Sequence, residues 1–231
     1  MWPGYYKEMH VETSVGLPVV LQRIFLSCGI LAALLSLGTD LLAGKLLQGY
    51  SFFTHSMSDL SAAGSPTRPL VVALTLLASA FMIAFGVGVW QAAGSAILPR
   101  IVAGLILGNA LAGLAATLFF PNHFGVRPEF GTPGVLLMFT GVLCFVLAMV
   151  FGAAAFQGWL RILSAAIPAA YILLAILRFA TAASSAGESV ILIGAQERTM
   201  AYSFLAWILA LAIYLLLLTS TAADSASSLS G

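Results

Sequence analysis

Long apolar stretches separated by short polar breaks dominate the chain. Thirty-one residues between Arg68 and Arg100 carry no charge, and neither do the 25 between Arg198 and Asp224. A helix rising about 1.5 Å per residue crosses a hydrocarbon core of about 30 Å in roughly 20 residues. That ruler predicts six transmembrane helices, at about 18–43, 69–92, 98–120, 134–157, 160–184 and 199–219. The runs are continuously apolar and longer than the roughly ten alternating residues of a barrel strand. The predicted fold is therefore all-α: a polytopic membrane protein, six helices in a compact bundle forming a single domain over 1–219, with a mobile Ser/Ala-rich tail at 220–231.

The connections alternate. Residues 44–68, 121–133 and 185–198 form long loops, whereas 93–97 and 158–159 are tight. Six spans place both termini on the short-loop side. The first apolar run follows a lead containing Glu8 and Glu12 and ends in Asp40, which does not suit a cleaved signal. Basic residues divide evenly: Lys7, Arg23, Arg100 and Arg161 on the terminal side, Lys45, Arg68, Arg127 and Arg198 on the other. The positive-inside rule is thus balanced. Arg100 and Arg161 at the tight turns favour cytoplasmic termini in the cell (plasma or inner) membrane. Trp90 and Trp159 at span ends suit the headgroup zone.

Composition sharpens the class. Only 7% of the 231 residues are charged, the net charge is +1 and apolar residues make up 61%. Mean hydropathy is +1.07. These values exclude a disordered chain, a disulfide scaffold and a nucleic-acid binder. The partners expected are membrane lipid and other proteins within the membrane.

Apolar burial gives helices in lipid little reason to associate, so close packing and hydrogen bonds must hold them. Gly104, Gly108 and Ala112 recur every four residues on the third span and leave a ridge for another backbone. Asn109, beside them, is an interhelical hydrogen bond or part of a substrate path. Pro168 should bend the fifth span. Cys28 and Cys144 read as buried thiols rather than a pair.

Two charges fall inside apolar stretches. Asp40 and Arg178 each lie 17 residues beyond a basic anchor, Arg23 and Arg161, on helices running the same way. They should sit at matching depth, paired or in one polar network, unless each snorkels separately to the interface. In the first long loop, Ser51 or Thr54 can cap a short helix that places His55 and Asp59 on one face at i and i+4, with Ser58 joining them. Such a face could handle protons, hold half a metal site, clamp a headgroup or merely be wetted. The second long loop adds Asn122, His123, Arg127 and Glu129; the third adds Glu188, Glu197 and Arg198. Two histidines with Asp59 or Asp40 make a zinc site conceivable, but the spacing is not diagnostic and no metal or cofactor is expected. Walker A, dinucleotide, serine-elbow and HExxH patterns do not occur.

Three stretches carry a resemblance: Tyr50 with Ser58, Asp59, Leu60, Gly64, Ser65 and Pro66; Phe120 and Pro121 followed by Gly131, Gly134 and Phe139; and residues 194–198, from Gly194 to Glu197 and Arg198. In that order the chain resembles the prokaryotic integral-membrane family catalogued as domain of unknown function 998. The resemblance implies a small multi-helix bundle in the cell membrane and brings no activity with it. The family often carries a His opening the fourth span; Thr132 and Pro133 stand there in this chain, which weakens a His-dependent reaction.

Three functions follow from these residues. The first is non-enzymatic binding or sensing of a lipid or small ligand through a polar cluster at the long-loop face, with Asp40, His55, Ser58, Asp59, His123, Arg178, Glu197 and Arg198 as candidates. The second is an accessory subunit of a larger membrane complex. The third is a membrane-embedded hydrolase, which needs His55 or His123 to approach Asp40 or Asp59.

Overall fold

A computed structural model describes residues 19–124, 131–184 and 193–229, with side chains for 20–124, 131–173 and 193–220. Six α-helices follow one another: α1 (Val19–Leu46), α2 (Arg68–Ala92), α3 (Ile97–Phe119), α4 (Pro133–Ala155), α5 (Trp159–Ser184) and α6 (Ile193–Leu229). Five of them are long and apolar enough to cross a membrane; α5 is apolar over Trp159–Leu173, as far as its side chains are described. The protein is a multi-pass helical bundle. Each helix packs on the next, and α1 also packs on α6, so the order closes into a ring.

The helices stop where the sequence stops them. Pro69 and Pro133 stand in first turns, where a missing N–H costs nothing. Gly94 and Gly158 take positive φ after α2 and α4, making the two tight turns on the terminal side. Only α6 departs widely from its expected bounds. It begins at Ile193 rather than 199, and its helical backbone continues to Leu229, into the Ser/Ala-rich segment expected as a tail.

Packing relies on small residues. Phe85 of α2 lies on Gly29 of α1, and Phe25 of α1 lies on Gly88 of α2, so a Cβ at either glycine would come within 3 Å of a ring or Cβ carbon. The fully buried centre holds Leu26, Phe85, Ile106, Met149, Trp207 and Leu211. The Trp207 indole N–H donates to Ser164 Oγ at 2.8 Å, which satisfies the one polar atom of that ring.

The third-span ridge is divided between neighbours. Gly108 faces Cys144 of α4, and Ala112 meets Gly141 of α4, but Gly104 has Trp90 of α2 nearest. The expected single partner backbone is thus replaced by two, because α3 sits between α2 and α4 in the ring. Asn109 Nδ2 donates to the Gly141 carbonyl at 2.9 Å, tying α3 to α4. Cys28 and Cys144 are free thiols.

Candidate functional site

The long-loop face is capped by residues 47–67. Residues 50–56 turn through the bonds of Tyr50 N–H to Leu47 O and His55 N–H to Ser51 O, and a 3₁₀ turn, Met57–Leu60, follows. Its cap is Ser56, not Ser51 or Thr54. Ser56 Oγ accepts from Ser58 N, and the Ser56 N–H donates to Asp59 Oδ2 at 3.1 Å, a reciprocal capping box. This corrects the expected helix with His55 and Asp59 on one face. The helix starts after His55, so the two side chains share no turn. The His55 ring instead accepts the Ser51 N–H at Nδ1, 3.1 Å away, and lies against Tyr50.

Arg198 is the centre of the cap. It was expected in a loop but stands one turn into α6, where it is 6% exposed. Its Nε and Nη2 donate to the two oxygens of Asp40, each at 2.9 Å. Nη2 also donates to Tyr50 Oη at 2.6 Å, and Nη1 reaches the carbonyls of Phe52, His55 and Gly194 at 2.7–3.3 Å. All five N–H groups therefore have acceptors. The guanidinium is also flanked by the Tyr50 and Phe52 rings, with centroids 5.4 and 4.8 Å away. Asp40, 4% exposed, receives a further bond from the Tyr202 hydroxyl, one turn beyond Arg198. A fixed fork of this kind suits arginine and not lysine.

The partner expected for Asp40 was Arg178. The carboxylate is held by Arg198, which also comes from the long-loop side but on the helix that closes against α1. The Arg178 side chain lies outside the described residues, as do Arg127, Glu129 and Glu188.

Glu197 points to the other side of the cap. Its carboxylate accepts from Ser56 Oγ at 2.7 Å and from Met57 N at 2.7 Å. Adjacent residues of one helix thus hold the loop at two places, Arg198 on residues 50–55 and Glu197 on residues 56–57. Tyr50 joins the two parts by donating to the Ser56 carbonyl at 2.8 Å. Burial pushes the Tyr50 phenol above the ordinary tyrosine range, with Arg198 pulling the other way, so it stays protonated and keeps that bond. The second long loop is tied on by backbone: Ala63 N donates to Asn122 O at 2.7 Å and Phe124 N to Ala63 O at 3.0 Å. His123 sits in that bridge with its side chain exposed.

Beneath the cap lies a cavity of about 460 Å³, bounded by α1, α2, α3, α4, α6 and the 3₁₀ turn. Asp40 and Ser58 reach its upper wall, and Met82, Asn109 and Phe145 stand at its lower end. On α2 the lining runs from Val71 to Met82, 11 residues on, so the cavity extends roughly 16 Å along that helix, about half of a bilayer core. Most of the lining is apolar, with hydroxyl groups spaced down it.

The family described as "Protein of unknown function (DUF998)" matches residues 30–214, from within α1 to within α6. The chain belongs to this family. No curated protein and no solved structure matches it. In this DUF998 member, two of the stretches that carried the resemblance are one contact. Gly194 lets the cap approach α6, Glu197 and Arg198 grip it, and Tyr50, Ser58 and Asp59 belong to what is gripped. Of the candidates, Asp40, Ser58, Asp59, Glu197 and Arg198 are brought together directly or through Ser56. His55 joins through its carbonyl rather than its ring, and His123 through backbone at the cap's edge. Among the described residues neither histidine comes within 4.0 Å of a carboxylate, and the ion pair is that of Asp40 with Arg198. No three His, Cys, Asp or Glu side chains among them group closely enough to hold a metal ion. Sequence reasoning missed Ser56 and Tyr202. The second had a signal, since it stands four residues after Arg198 on the same helical face.

Proposed function

We propose that this protein binds a lipid or small membrane-dissolved ligand, without chemistry, in the cavity beneath its long-loop cap. The cavity itself carries the reading: about 460 Å³, within the roughly 300–1,000 Å³ typical of small-molecule sites, with an apolar wall and a few polar groups. Asp40 and Ser58 belong both to the cap's network and to the cavity wall, so an occupant would touch the groups that order the loops. That shared wall supports sensing as well as binding. The hydrolase reading needs a histidine beside Asp40 or Asp59, and the His55 ring is engaged with Ser51.

Filling the cavity tests the reading. Gly113 lines it, and a Cβ there meets nothing within 4 Å. Gly113→Leu should keep the wild-type melting temperature to within a few degrees while lowering copurified or added lipid about tenfold, measured by mass spectrometry of the protein in nanodiscs. Unchanged lipid occupancy would sink the reading.

We place the termini in the cytoplasm and the cap outside the cell membrane, on the anchoring of the tight turns by Arg100 and Arg161. Phe53 in the cap is 65% exposed. A Phe53→Cys variant should therefore react with a membrane-impermeant maleimide on intact cells, beyond the wild-type background from Cys28 and Cys144. Reaction only after lysis would reverse the orientation.

A further inference from the structure

Most hydroxyls described in these helices follow one habit. Ser27, Thr117, Thr140, Thr199, Ser203 and Ser220 each donate to the carbonyl four residues back, at 2.7–2.9 Å. That bond is open to any helical Ser or Thr and is the ordinary way to satisfy a hydroxyl in lipid. Ser36 on α1 and Thr75 and Ser79 on α2 make no hydrogen bond among the described residues. All three line the cavity. Thr75 and Ser79 are one turn apart on α2, so the cavity holds a short column of unused donors and acceptors.

Charge offers the complementary fact. The charged residue on the cavity wall is Asp40, and both its oxygens are occupied. Among the described residues no cation lines the cavity. Arg198 spends all five N–H groups on Asp40, Tyr50 and three carbonyls, and Arg68 donates to the Ser61 carbonyl. A phosphate entering here would meet no cation on the described wall and would lie near a carboxylate, in a region where an unpaired charge costs several kcal/mol.

Resting on the cavity reading above, we propose that the ligand is an uncharged single-chain amphiphile of the monoacylglycerol class. Its hydroxyl and ester groups meet Ser36, Thr75 and Ser79, and its chain lies against Met82 and Phe145 below them. The volume is in the lower half of the usual range for such sites, which fits one chain rather than two. Selectivity comes from charge, because the described wall carries a carboxylate and no cation to meet a phosphate.

The test uses the full chain in nanodiscs and a monoacylglycerol bearing a diazirine in its acyl chain. Labelling is competed by monoolein or by oleoyl lysophosphatidate, which share the chain and differ by the phosphate. Monoolein should compete at least about tenfold better, and combined Ser36→Ala, Thr75→Ala and Ser79→Ala should lower its competition about tenfold with the melting temperature kept. Equal or better competition by the lysophosphatidate overturns the proposed ligand class and leaves the cavity as a lipid site. Undiminished competition by monoolein in the triple variant overturns the role of the hydroxyls. Labelling that neither lipid displaces, or that Gly113→Leu leaves untouched, overturns the cavity reading itself.

Discussion

Arg198→Ala is expected to lose about 3–5 kcal/mol of stability, the cost of stranding a buried charge whose partner has been removed. Asp40 would keep one bond, from Tyr202, and lose both of its charged ones. Three backbone carbonyls and the Tyr50 oxygen would lose a donor at the same time. Arg198→Lys keeps the charge but has three donors on a single atom, too few and too close to span a carboxylate and the cap. It should recover only part of the deficit. Pairing Arg198→Met with Asp40→Asn removes the stranded charge, so the double variant should be more stable than Arg198→Ala, although the cap's carbonyls stay unpaired. Thermal unfolding of the purified proteins in one detergent reads all four. An Arg198→Ala protein within 0.5 kcal/mol of wild type would mean that the pair contributes nothing to the bundle.

Gly194→Ala should damage the same contact without altering any charge. A Cβ at position 194 would lie 2.2 Å from the His55 carbonyl oxygen and 2.6 Å from that of Phe52, and neither belongs to a flexible side chain. The cap must therefore move off α6. In moving it would break the bonds of those two carbonyls to Arg198 and the Ala195 N–H bond to Phe53 O. Overpacking of this severity costs about 3 kcal/mol. Local unfolding should follow, so a protease should cut between Ser51 and Ser61 well before wild type does. Gly113→Ala is the control, since its Cβ enters open space. A cap as resistant in Gly194→Ala as in Gly113→Ala would contradict the close approach.

Periodicity and length made the bundle legible from the sequence. Hydrocarbon thickness allows few solutions, and five of the helices start within a few residues of where the charge-free runs place them. The site was legible by residue but not by pairing. Asp40 announced itself as an acid inside an apolar run, yet matching depth pointed to Arg178, and the carboxylate is held by Arg198. Which helix closes against α1 is a property of the ring, and no local signal encodes it. The start of α6 was placed late because Glu197 and Arg198 look like loop residues until their partners in residues 50–57 are known. Ser56 was hidden by its neighbours, since residues 51–58 contain four hydroxyl side chains and any of them could cap. Glycine ridges were visible as composition, but their partners were not.

The clasp also sets an order of events during synthesis. Asp40 and Arg198 are 158 residues apart in the chain. At about 5–20 residues per second, roughly 8–30 s pass between the emergence of the acid and that of the base. Throughout that interval α1 presents an unmatched carboxylate near the membrane surface. It has to stay hydrated there until α6 arrives. The ring can be completed, and the cap closed over the cavity, only once α6 has been made. A chain that ends before α6 carries a permanent mark of its incompleteness, in the form of an acid with no base to meet.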